Sequence, residues 1–423
     1  MKQKHHRMLC AFCALVILVS TVFPTAAFAE QPVDAAAAEQ TLTRADAAEM
    51  QQADAAVTAL TESEQYQEMD TDARKDAALA QLDTLAAKGL VEKDSIYTDE
   101  ENGMVSFRYP CGVLGGILLT EPEDETLDEE NAETETASNA LPLRLPPDLG
   151  AEMQKSRAAL LRRTENQAVE KFGTAVIYYA FDNTINSSRF PYYAYMQGFW
   201  SALGLETKIN IHVTVADLKK MGSYNVSVLS AHGSYYTYSY GKFLKRTRTE
   251  PIMLLTEEST FGKDLRYGFD LLAHRVIKVN GMYCVTSDFF RNAYKGGKLS
   301  NTIVYSETCE FLGVDGSEDN AMADALLSGG AQAVIGYVNN VYTVYSRSML
   351  WDTINHLIMG QNVGQALEHA KATYGEDDLI WYHAQGGRRP HAAASYAVLY
   401  GNSQAALHVP ESNRSMFSAD LAA

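Results

Sequence analysis

The chain has 423 residues, 46% of them hydrophobic and 10% aromatic, and 35 basic against 53 acidic side chains give a formal charge of −18. Length and apolar content are enough for a sizeable core and for two compact units, since domains run to roughly 100–200 residues. A charge this negative excludes a nucleic-acid partner, which would need a basic face.

Residues 1–29 begin with Lys2, Lys4 and Arg7, continue through an apolar run from Met8 to Phe23, and end in Ala27, Phe28 and Ala29. This is the pattern of a signal peptide cleaved after Ala29. The run is shorter than the roughly 20 residues that cross a bilayer, so the mature chain is expected to be secreted, extracellular or at the cell envelope, without stable membrane association. The acidity is local: residues 30–147 hold 7 basic against 27 acidic side chains, whereas residues 148–423 hold 25 against 26. Cys10 and Cys13 leave with the signal, so Cys111, Cys284 and Cys309 remain. An odd number leaves at least one thiol unpaired or pairing between chains. In an oxidising compartment such a thiol is either buried and inert or reactive for a purpose.

Residues 35 to about 90 lack Pro and repeat Leu79, Leu82, Leu85 and Leu90 at near-helical spacing, which predicts two helices. Ile96 to Tyr97 and Met104 to Tyr109 flank a polar stretch ending in Gly103, which predicts a hairpin with Gly103 in its turn. Glu121 to Ala140 is a charge run that reads as a solvated linker, closed by Pro146 and Pro147. The expected organisation is a signal at 1–29, a helical and hairpin region at 30–120, an acidic linker at 121–147 and a larger domain at 148–423.

In that domain Val176 to Phe181, Ile209 to Val213, Val226 to Leu229, Ile303 to Tyr305 and Ala333 to Val338 are short, β-branched and apolar. Tyr192 to Leu203, Asn320 to Leu327 and Arg347 to Tyr374 carry helical spacing between them. Alternation of this kind predicts an α/β fold with a mostly parallel sheet and helices on both faces. Sites in such sheets gather beyond the carboxyl ends of the strands.

Two strands end in reactive residues. Val226 to Ala231 delivers His232 and Gly233, and Ile303 to Thr308 delivers Cys309. If these strands are neighbours, thiol and imidazole face each other, and an imidazolium nearby favours the attacking thiolate. A strand-end Cys is also commonly a buried, inert one, and His-Gly alone ends many strands.

Leu229-Ser-Ala-His232-Gly233-Ser resembles the strand-to-histidine motif of the caspase-like cysteine peptidases, the group that includes clostripain, gingipains and CHAT proteins. Tyr305-Ser-Glu-Thr-Cys309-Glu is similar to their nucleophile strand, and Ala321 to Gly336 to the helix and strand that follow it. Asn362 to Leu367 and Tyr400 to Leu407 resemble their later helix and closing strand. The similarity spans residues 174–407; Thr308 departs from the usual Ala, Glu310 and Phe311 from an early Gly, and Asn402 from the usual Asp. The resemblance implies a caspase-like fold and a secreted endopeptidase in which Cys309 attacks the scissile carbonyl and His232 passes a proton to the leaving amine. The backbone N–H groups of Gly233 and Cys309 would hold the oxyanion. Glu307, two residues before the nucleophile, would meet a basic P1 side chain. The rival readings are an inactive caspase-like surface or binding protein and another Cys-His acyl-transfer enzyme, an amidase or transpeptidase.

The expected partner is therefore a peptide or protein substrate. With a basic P1, Arg162 and Arg163, or Lys242, Lys245, Arg246 and Arg248, become autoprocessing sites, and residues 30–147 a pro-region that binds the catalytic domain. No cofactor is expected. Asp315, Ser317 and Asp319 alternate like a calcium loop, but Leu326 stands where a bidentate Glu is required; Ser317 reads instead as the cap of a helix beginning near Glu318. His212, His274, His356, His369, His383, His391 and His408 have no ligand spacing. Tyr235, Tyr236, Tyr238 and Tyr240 alternate with small polar residues and predict an edge strand or flap.

Overall fold

The structure, a computed structural model, describes residues 41–119, 155, 169–181, 191–241, 245–379 and 394–417. The signal, the linker, Arg162, Arg163, Lys242, His383 and His391 lie outside the described residues. None of the described helices is long and apolar enough to cross a membrane.

The described chain is mixed α/β, with helices and strands interleaved. One sheet has six strands: β4 (Gly173–Ala180), β5 (Leu205–Asn210), β6 (Val226–Ala231), β11 (Ile303–Ser306), β14 (Ala333–Val338) and β15 (Tyr396–Gly401). They lie in the order β15-β14-β11-β6-β4-β5, all parallel except β15 at the edge. The strands are apolar on both faces because both are covered. Ala175, Ile177 and Tyr179 of β4 pack with helices α4 (Pro191–Ala202), α9 (Thr343–Ile358) and α10 (Val363–Tyr374), whereas Val176, Tyr178 and Ala180 join the opposite core with α7 (Ser287–Ala293) and α8 (Ala321–Ser328). Since β5 lies on one side of β4 and β6 on the other, the chain switches direction between β4 and β6. Crevices at such switch points form beyond the carboxyl ends of the strands.

Two expectations shift in detail. The helical stretch from Arg347 to Tyr374 is split into α9 and α10 at Gly360, whose φ of +89° ends the first helix. Ser317 does not cap a helix: it pairs with Val314 in a two-stranded ribbon, and α8 begins at Ala321, whose N–H donates to Asp319.

A second sheet, of which the N-terminal hairpin and the tyrosine-rich strand are legible in the sequence and the rest is not, has the order β1-β2-β3-β9-β10-β8-β7. Its strands are β1 (Tyr97–Asp99), β2 (Met104–Arg108), β3 (Leu114–Leu118), β7 (Gly233–Tyr240), β8 (Arg246–Glu258), β9 (Val276–Val279) and β10 (Met282–Thr286). Gly103 sits in the β1–β2 turn at φ +57°, as the hairpin requires. The tyrosine-rich segment is the edge strand β7, although Tyr235, Tyr236 and Tyr238 are buried.

The anticipated boundary at residue 120 does not divide two compact units. Thr41–Ala423 forms one unit, because β3 pairs parallel with β9 and so carries the N-terminal hairpin into a sheet made mainly by later residues. Helix α1 (Arg44–Thr61) opens with a Thr43–Asp46 capping box and packs on α6 (Phe261–Leu272). Between them Lys278, 1% exposed, is clamped by Asp54 and Asp264. Tyr109 and Ser259 donate to Asp54, and Tyr283 and Gln51 donate to Asp264.

Candidate active site

Strands β6 and β11 are parallel neighbours, with Leu229 opposite Ser306. Three further residues along each chain lead to His232 and Cys309, so the register sets the two abreast at one rim. His232 is the single residue between β6 of one sheet and β7 of the other. Its carbonyl accepts the Leu254 N–H of β8 and its ring meets Phe181, just beyond β4, edge-on at 4.7 Å between centroids. Cys309 is half-buried on the same face, against the α4 and α9 core. Its sulfur accepts the Val341 N–H at 3.4 Å and its thiol donates to the Val341 carbonyl at 3.9 Å, so the Val341 backbone holds it on both sides. Four adjacent strands, β4, β6, β11 and β14, thus lead to Phe181, His232, Cys309 and Val341 at the same rim of the sheet.

Gly233 fixes how closely the two strand ends approach. A Cβ added there would lie 2.1 Å from the Cys309 carbonyl oxygen and 2.5 Å from Thr308 Cγ2. Because the nearer obstacle is backbone, no rotamer change relieves it. Gly233→Ala is therefore expected to push the two strand ends apart and to lower Tm, and a variant with unaltered Tm would disprove the contact's importance. The Gly233–Met253 pair is of the non-hydrogen-bonded kind, so the Gly233 N–H turns away from β8.

Immediately after Cys309, Glu310 takes φ +53°. This is the left-handed region that glycine adopts without strain, so Glu310 makes the turn that an early Gly would make. Burial, with Asp315 nearby, pushes its carboxyl from the usual 4.5 up to about 7. The folded protein then holds this proton to higher pH than the unfolded chain does. The stabilisation is complete below about pH 4.5 and is lost as pH rises through about 7. Glu310→Gln is expected to remove up to about 3 kcal/mol of that decline, read from Tm against pH. Part of the decline should persist, because burial also raises Glu250 to about 7.

Glu307 does not face solvent. It is 3% exposed and accepts the Tyr193 hydroxyl at 2.9 Å, which also bonds Ser230. The Arg347 guanidinium, itself buried, lies 5.0 Å from the Tyr193 ring centroid. Glu307 therefore belongs to a polar pocket beneath the crevice, on the same sheet face as Cys309. Of the basic candidates, Lys245 and Arg246 are exposed at the start of β8, while Arg248 pairs with Glu250 and Asp288. Among the described residues Cys111, Cys284 and Cys309 form no disulfide; Cys284 is wholly buried and Cys111 partly so, and burial raises both their pKa values.

Spacing along the chain gives no hint of Phe181 or Val341, which reach the crevice only through strand order. Nor does it join His356 to His369, which the α9–α10 pairing brings together at Asp352. The one signal available was the i,i+4 spacing of Asp352 and His356 on a helix. No known family model matches this sequence, and no curated protein matches it at a significant level.

Proposed function

We propose that this chain is a secreted cysteine endopeptidase of the caspase-like kind. The observation that carries the reading is the continued β6–β11 register, with Gly233 packed on the Cys309 backbone, at the carboxyl end of a mostly parallel sheet. In the proposed reaction the Cys309 thiolate attacks the scissile carbonyl carbon, forming a C–S bond while the carbonyl π electrons move to oxygen. The N–H groups of Gly233 and Cys309 receive that oxyanion, and one such donor lowers the barrier by roughly 3 kcal/mol. Collapse breaks the C–N bond as protonated His232 gives its proton to the leaving amine. Water, activated by the imidazole, then cleaves the thioester.

Glu307, in its buried pocket, is the proposed partner of a basic P1 side chain, since a desolvated opposite charge selects strongly. The purified protein is expected to hydrolyse P1-Arg or P1-Lys fluorogenic peptides in preference to P1-Asn and P1-Asp, and Cys309→Ala to hydrolyse none. Glu307→Gln should lower kcat/KM for basic P1 by at least about tenfold. Turnover of small amides but of no peptide would favour an amidase or transpeptidase instead. No turnover, with Cys309 alkylated no faster than Cys111, would favour a surface or binding protein.

A further inference from the structure

We propose that Asp352, His356 and His369 form a binding site for one divalent metal ion of the zinc class, separate from the Cys309 crevice. Asp352 and His356 stand one turn apart on α9, on the same helix face. A short connection follows, and Asn362 opens α10 with a capping box that fixes its start. Helix α10 then packs along α9 and delivers His369 to the same point. One carboxylate oxygen faces each ring: His369 Nδ1 is 2.7 Å from Asp352 Oδ2, and His356 Nε2 is 3.7 Å from Asp352 Oδ1. All three ligand atoms lie within 4.8 Å of one another.

The donor set of two imidazoles and one carboxylate suits zinc and its first-row neighbours, with bonds near 2.0–2.2 Å. The 3.7 Å gap is too long for a hydrogen bond. It is close to the separation of two ligands bound to one such ion, which lies between them. The rings of His356 and His369 are only 3.7 Å apart at their centroids, an arrangement that two imidazolium cations would resist. His356 is 5% exposed and its buried Nδ1 has no hydrogen-bond partner among the described residues, so Nε2, which faces Asp352, is the atom presented to an ion. His369 is 43% exposed in its side chain, which opens the site to solvent and supplies water as the remaining ligand.

The test uses the purified full chain carrying Cys309→Ala, so that the thiol cannot hold the ion, after treatment with a chelator. Isothermal titration with Zn²⁺ is expected to show one ion per chain at this site, and Tm to rise with Zn²⁺ concentration. His369→Ala, at the exposed position, should weaken binding by about 100-fold or more and remove the Tm response. Co²⁺ should give the intense visible bands of a low-coordinate ion, lost in His369→Ala. Absence of saturable binding, or binding that His369→Ala leaves unaltered, would overturn the site and leave a hydrogen-bonded Asp–His pair between helices.

Discussion

Alanine at Cys309 and alanine at His232 are each expected to lower kcat/KM by about 10⁴-fold or more, and the double variant to lose no more than the worse single one. The reason is that in the proposed mechanism neither group acts without the other: the thiolate depends on the imidazolium, and the imidazole has no proton to deliver without the attack. Groups that work as a unit give strongly non-additive losses. A double variant whose loss equals the product of the single losses would mean that the two residues serve different steps, and the proposed dyad would have to be dropped. The variants should keep the wild-type Tm, because both side chains are half-buried at the rim rather than in the core.

Loss of Lys278 is expected to have the largest effect on stability. Its ammonium sits against both Asp54 and Asp264, at a place where all three side chains are nearly sealed from water. Lys278→Met keeps the volume and brings two carboxylates together without their counter-charge, and breaking a buried pair in this way costs about 3–5 kcal/mol. Urea unfolding should show a lower midpoint with an unchanged slope. Asp54 and Tyr109 precede the linker while Ser259, Asp264, Lys278 and Tyr283 follow it, so the cluster fastens the N-terminal segment to the rest. A protein cut within residues 121–147 should therefore elute as one species, with the two pieces together, and Lys278→Met should let them separate. If the cut wild-type pieces part at once, the segment is held by its covalent linker instead.

Much of the six-stranded sheet could be read from the sequence because strands buried on both faces are unbroken apolar runs, as Val226–Ala231 and Ala333–Val338 are. The other sheet escaped for a physical reason. Strand β8 begins with the exposed Arg246 and Thr247 and becomes apolar only from Ile252, and β9 contains the buried Lys278, so neither gives a clean period. The N-terminal hairpin was visible through Gly103, but its place beside β9 is a long-range pairing that no local pattern encodes. At the site, Cys309 and His232 stand out because each follows an apolar strand. Phe181 and Val341 do not, since an aromatic and a Val beyond a strand end read as ordinary core. The burial of Glu307 against Tyr193 was equally hidden, because it depends on where α4 docks.

His232 is a one-residue bridge between two sheets, and this has a mechanical consequence. Its backbone is gripped from one side by β6 and from the other through the Leu254 N–H of β8, with no slack loop to absorb displacement. An imidazole mounted in this way cannot be swung into place by an arriving substrate; its aim is built in during folding. Any slip of one sheet against the other would carry the base off target while leaving the sulfur where it was.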